Sequence, residues 1–227
     1  MIVTWTGLRT RLPVPRVPWQ PDGAQWWQAG HSGSGRLDAP QPDGRWWSVL
    51  ATWRTREEAE AGRPLRDDLD AWHVVLEATS SSGDAVLAGG ARPFDAVGQG
   101  RDAGGATAVV TFAGVSPDGA REREFFRRFM HVARSIRHAP GHLAGLLQVP
   151  DDGAVLTFSV WEDQRSALHW AYGHPAHAAA VARTRTHQLV TASGSLRCAV
   201  LSSSGTLGDL GDPLDRRRSP HRYAAHA

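Results

Sequence analysis

Residues 154–170 read AVLTFSVWEDQRSALHW, and residues 45–61 read RWWSVLATWRTREEAEA. Each is an apolar, β-branched run that ends in tryptophan and turns at once into a charged helix start. Trp53 takes the place of Trp161, and Glu58-Ala59 that of Ser166-Ala167. One strand–helix unit thus occurs in both halves of the chain, which predicts a tandem architecture.

Working outward in the second half, ATAVVTFAGV (106–115) reads as a strand. Ser116 or Asp118 then caps a helix whose apolar face is Phe125, Phe126, Phe129, Met130, Ala133 and Ile136. Pro140-Gly141 ends it. HLAGLLQV (142–149) and AVLTFSVW (154–161) form a hairpin around PDDG, a second helical region follows, and SLRCAVLS (195–202) is the last strand. The order β-α-β-β-α-β is a ferredoxin-like unit. Its helices lie on one sheet face, and because the strands do not alternate cleanly, the other face stays apolar and must be covered.

The first half repeats this pattern imperfectly. IVTWTGLRTRL (2–12), the strand ending at Trp53 and AWHVVLEAT (71–79) are strands, and AVLAGGARPF (85–94) adds a short edge. The first helix is missing. A Pro-, Gly- and Trp-rich insert, residues 13–44, stands there and cannot be a regular helix. The expected fold is α+β, two tandem ferredoxin-like halves forming an α/β barrel with antiparallel sheets. The expected bounds are 1–97 for the N-terminal half, 98–106 for a Gly-rich linker, 106–204 for the C-terminal half and 205–227 for a loosely ordered tail.

Composition narrows the function classes. Every basic residue is Arg, Lys and Asn are absent, and Ile occurs twice. This pattern fits a GC-rich coding sequence, and with no Arg-aromatic stripe it gives no reason to expect a nucleic-acid partner. A single cysteine, Cys198, excludes a disulfide framework or Cys-based zinc site and reads as a small buried hydrophobe. No apolar run is long enough for a membrane span, and the start lacks a signal-peptide core, so a cytoplasmic protein is expected. SGSG and GQG lack the strand–helix context of a nucleotide loop. Tryptophan is the anomaly, with eight of ten before residue 73.

The densest chemistry lies in HWAYGHPAHAAAVARTRTH (169–187). Pro175 breaks it into two helices and leaves His174 at the junction. His177 shares a face with Ala180, Val181 and Thr184, the small apolar one, and so points inward, whereas His187 points out. HPAH lacks both the third ligand of a zinc site and the glutamate of HExxH. One inward imidazole beside small residues suits an axial haem (heme) ligand, a single general base, or a hydrogen-bonded core histidine. Trp19, Trp26, Trp27, Trp46 and Trp47 either line an aromatic pocket or plug the gap left by the missing helix. Arg127, Arg128, Arg134 and Arg137 either receive propionates or form a solvated face.

The run TFSVWEDQRSALHWAYGHPAHAAAVARTR resembles the spheroidene monooxygenase family, within the wider dimeric α/β-barrel superfamily that includes antibiotic-biosynthesis monooxygenases. The matching residues are Thr157, Phe158, Ser159, Trp161, His177, Ala180, Val181 and Arg185. The resemblance implies a haem-dependent oxygenase acting on a small apolar molecule. His177 is then the iron ligand, Val181, Arg185 and Trp161 adjoin the cofactor, and His174 is a catalytic candidate. HQLVTASG (187–194) and LLQVPDD (146–152) depart from the family pattern. The alternatives are a cofactor-free monooxygenase or cyclase with His177 or His174 as base, and a non-catalytic ligand-binding module. A second copy of the chain is compatible as a partner in each case.

Overall fold

The computed structural model describes residues 1–32, 44–64, 69–84, 87, 91, 92, 94, 95, 97, 104–150, 154–206, 212 and 214. The strands are β1 (Ile2–Thr10), β2 (Trp26–His31), β3 (Trp46–Trp53), β4 (Leu69–Gly83), β5 (Thr107–Val115), β6 (His142–Gln148), β7 (Ala154–Trp161) and β8 (Val190–Gly205). The helices are α1 (Arg56–Ala61), α2 (Gly119–Ile136), α3 (Gln164–Gly173) and α4 (Pro175–Thr186). All strand pairs are antiparallel, in the order β2-β3-β1-β4-β8-β5-β7-β6. Each half contributes four neighbouring strands, and β4 joins β8 at the centre. At the outer edges His31 and Val149 exchange backbone hydrogen bonds of 3.1 and 2.8 Å, which bridges β2 to β6 and closes the sheet into a barrel.

Closure answers the question of the second sheet face. Inward residues from both halves form one core, including Val3, Trp5, Trp72, Val74, Ala108, Val110, Leu146, Phe158, Leu196 and Cys198. Trp5 stacks on Phe158 from the other half, with ring centroids 4.9 Å apart and planes 7° apart. Burial pushes the Cys198 thiol far up, as expected of a buried hydrophobe rather than a nucleophile. Alternate residues point outward. In the C-terminal half these pack with Phe125, Ala133 and Ile136 of α2 and Ala167 of α3.

The insert contains a strand that its Pro/Gly content did not predict. Trp26–His31 pairs with β3 and supplies the barrel's edge, while Val14, Val17 and Trp19 cover Leu8, Trp47 and Val49 where a helix would lie. The tryptophans therefore do not line one pocket. Trp26 and Trp46 face the barrel interior, Trp19 and Trp47 lie outside it, and Trp27 is exposed. The last strand is longer than expected, because residues 190–194 pair with β5 and β4 instead of forming a loop. The expected edge at 85–94 is not a strand at its described residues. Leu87 and Phe94 instead bury side chains in the barrel core. Most of the linker and tail lies outside the described residues. Within the tail, Asp212 accepts a hydrogen bond from Ser203, and Leu214 packs on the barrel core.

Candidate functional site

The candidate site lies on the outer face of the C-terminal half, where α3 and α4 meet at Pro175. Asp163 caps α3 through the Ser166 N–H. His174 ends α3 and starts α4, with φ −81° and ψ 119°, and Pro175 takes the first helical position. The break lets the chain fold back on itself. His177 Nδ1 lies 2.6 Å from the Ala171 carbonyl oxygen.

That contact fixes the tautomer. A carbonyl only accepts, so Nδ1 carries the proton and Nε2 of the neutral ring carries a lone pair. Burial, opposed by the Ala171 bond and assisted by the nearby imidazole of His174, holds the His177 pKa below the usual histidine value. The ring is therefore neutral at neutral pH.

Trp170 organises the surroundings. Its indole lies 4.7 Å from the His177 ring, 5.9 Å from His174 and 5.7 Å from Trp161, and Trp161 meets His142 edge-on at 5.1 Å. Trp170 Nε1, His174 Nδ1 and His142 Nε2 are buried without a hydrogen-bond partner among the described residues. Burial lowers the His142 pKa to about 4.

The helix above this group is unusual. α4 has no buried residue and packs on α2 and α3. Its half-buried face is Ala176, His177, Ala180, Val181 and Thr184, as the periodicity predicts, while His187 is exposed. Thr111 at the middle of β5 is exposed, and its outward neighbours Val109, Ala113 and Thr157 are only half-buried. The imidazoles of His174 and His177 thus lie against Trp170 at the α3–α4 junction, above a sheet face that is partly exposed at Thr111.

The sequence-derived candidates do not all meet there. His174 and His177 both lie against Trp170, and Val181 shares the half-buried face of α4 with His177. Trp161 is 1% exposed beneath Trp170, and its Nε1 donates to Ser159 Oγ, so it supports the site from below. Arg185 is exposed, two turns beyond His177. Arg127 and Arg128 pair with Glu124, which they hold at a pKa of about 2, and Arg183 comes within 3.7 Å of the same carboxylate. Trp170 and His142 were not singled out in the sequence. The signal for Trp170 was its place four residues before His174, one helical turn away.

Among the described residues no three His, Cys, Asp or Glu side chains form a metal cluster, and no helix is long and apolar enough to cross a membrane. No family model and no curated protein matches the sequence. Among solved structures, aldoxime dehydratase OxdRE, in complex with butyraldoxime, is similar at 11% identity over 88% of this chain and 79% of that one, with a TM-score of 0.52. An anthrone oxidase-like protein matches at 15% identity over 90% and 93%, with a TM-score of 0.36. SnoaB, a cofactor-independent oxygenase from Streptomyces nogalater, matches at 19% identity over 47% and 100%, with a TM-score of 0.34. The first likeness is one of fold, and the other two add nothing to it.

Proposed function

We propose that the chain is an oxygenase-type enzyme that takes a small, largely apolar organic molecule at the α3–α4 junction, with His177 Nε2 as its reactive nitrogen. The supporting observation is the 2.6 Å bond from Nδ1 to the Ala171 carbonyl, which leaves a lone pair on Nε2 of a neutral, half-buried imidazole. A base that is unprotonated at neutral pH and set among apolar side chains is suited to take a proton from a phenol or an activated methylene. In the cofactor-free form the substrate anion is the electron donor and dioxygen the oxidant. A methylene loses both hydrogens, one oxygen atom remains as the ketone, and the other leaves as water. His174, on the same indole, is the alternative base.

The tether to Ala171 also favours a second reading, because a metal-bound imidazole is commonly oriented by a carbonyl at its other nitrogen. A haem would be held by His177 Nε2, with Ala180 and Val181 as small apolar neighbours beside it. When bound, the group supplies dioxygen activation at iron. The chain's own residues hold the tautomer of His177 through the Ala171 carbonyl.

The test is an absorption spectrum of the purified protein, before and after haem is added, together with oxygen uptake on a panel of anthrone-type phenols. Haem-free uptake that His177→Ala abolishes supports the base reading. A Soret band that His177→Ala alters supports the haem reading. Neither uptake nor a Soret band, or full retention of either in His177→Ala, overturns the proposal.

A further inference from the structure

The barrel is fastened unevenly. Every pair of strands that are neighbours in the sheet order is joined by a ladder of at least six residues in register. β2 and β6, which meet where the barrel closes, share one bridge, the two hydrogen bonds between His31 and Val149. Side chains supply the remaining ties among the described residues. Gln148 Nε2 donates to the Gln28 carbonyl at 3.2 Å, and Ser32 Oγ donates to the Leu147 carbonyl.

Behind this seam lies a group of polar side chains. Gln28 follows Trp26 by two residues, Ser48 stands between Trp46 and Leu50 on the same face, and Gln148 follows Leu146 by two. All three therefore face the barrel interior. Ser48 pairs in register with Gly30, and a Cβ on Gly30 would lie 2.7 Å from Gln148 Cγ, so the three residues adjoin. Gln28, Ser48 and Gln148 are 6%, 0% and 0% exposed. Gln28 Nε2 and Oε1, Ser48 Oγ and Gln148 Oε1 have no hydrogen-bond partner among the described residues. A buried amide or hydroxyl without a partner has lost its water and gained nothing in return, which raises the free energy of the closed form. Opening the seam gives up only the ties above, whose groups water also satisfies, and returns water to these four atoms. Apolar burial around Trp26 and Leu50 opposes it and keeps the seam shut most of the time.

We propose that the β2–β6 seam is a gate built into the barrel. β2 swings away from β6 on its ladder to β3, the other ladders stay intact, and the interior at Gln28, Ser48 and Gln148 opens to solvent and to small neutral molecules. The gate uses no residue of the α3–α4 junction, so it stands or falls apart from the oxygenase reading.

The test is native-state hydrogen exchange on the full chain, followed by NMR. The His31 and Val149 amides are expected to be protected, yet to exchange about 100-fold faster than the amides of the β4–β8 ladder, as a local opening does. Gln28→Met and, separately, Ser48→Ala remove buried polar atoms with little change of shape. Each is expected to slow exchange at His31 and Val149 about 10-fold, the scale of one unsatisfied buried group. Thiol labelling gives a second readout. The thiol introduced by Ser48→Cys is expected to react with methyl methanethiosulfonate about 100-fold faster than Cys198, the internal control, which is 1% exposed on β8 at the centre of the sheet order. Seam amides that exchange no faster than the β4–β8 ladder, or equal labelling of the two thiols, mean that the seam opens only when the chain unfolds, and overturn the proposal. Exchange at the free-peptide rate overturns it as well, because there is then no closed gate. Unchanged or faster seam exchange in Gln28→Met and Ser48→Ala does the same, because the polar side chains would not be what loosens the seam.

Discussion

His177 Nδ1 reaches back across Pro175 to the Ala171 carbonyl, 2.6 Å away. The contact joins two helices at the point where proline interrupts them, so the residue that breaks the helix also brings the imidazole to its tether. With Nδ1 occupied as a donor, any chemistry at this ring falls to Nε2. The base reading then has a definite pH dependence. Burial holds the folded pKa below 6.5, so the neutral form dominates at neutral pH. Activity is expected to stay level above pH 6.5 and to fall only as the pH drops through that lowered pKa. His177→Ala should cost about 100-fold or more in kcat/KM, the usual scale of a positioned base. A pH profile of kcat/KM with its acid limb above 6.5 contradicts this assignment.

The placing of the substrate beside His177 can be tested through Ala180. This side chain lies one turn along α4 from His177 on the same half-buried face, and α4 has no buried residue to disturb. Ala180→Phe sets a bulky ring beside His177 without replacing a buried residue. Turnover or ligand binding should fall by about 10-fold or more, while the melting temperature shifts by only a few degrees. Unchanged turnover in the folded variant would place the substrate elsewhere.

His142 links the same aromatic group to acid stability. Its pKa is held near 4 when folded, against an ordinary value of 6.5, chiefly because the ring is buried, with a backbone hydrogen bond at Ala144 in opposition. Between these pH values the unfolded chain takes up a proton that the folded chain refuses. Stability from this group is therefore complete above about pH 6.5 and is lost progressively down to about pH 4. At about 1.4 kcal/mol per pH unit, the loss is on the order of 3 kcal/mol at most. His142→Phe keeps an aromatic ring against Trp161 and removes the proton site. Urea midpoints between pH 7 and pH 4 should fall less steeply for the variant, and identical slopes would rule His142 out as the cause.

The fold was legible where residues carry periodicity. The paired Trp53 and Trp161 strand ends, the α2 apolar face and the Pro175 break each appear in the structure at the expected positions. β2 was hidden because WWQAGH sits among prolines and glycines, and its strand character comes from pairing with β3, a tertiary effect. The early half of β8 was hidden for the same reason: TASGS has little propensity of its own and is held by β4 and β5. In the candidate site, helical phase identified His177. His142 was not identifiable as part of the aromatic group, because that depends on which strand the fold brings against Trp161, and one-dimensional spacing does not carry that information.

The barrel's closure is the last point open to test. Gly30 lies on β2 beside the His31–Val149 bridge, and a Cβ built on it would fall 2.7 Å from Gln148 Cγ and 2.8 Å from both Pro150 N and Val149 C. Two of these are backbone atoms, so a side-chain rotation cannot relieve the contact. Gly30→Ala must therefore push β2 away from β6 and lengthen the hydrogen bonds of 3.1 and 2.8 Å between them. Gln148 Nε2, which donates to the Gln28 carbonyl at 3.2 Å, would be displaced as well. A loss of about 1–3 kcal/mol is expected, the usual cost of overpacking. Measured by urea unfolding, it should come with faster amide exchange at His31 and Val149, whereas exchange along the central β4–β8 pair stays slow. Fast exchange at the His31 and Val149 amides already in the wild type, with Gly30→Ala as stable as the wild type, would show that β2 and β6 do not close the barrel.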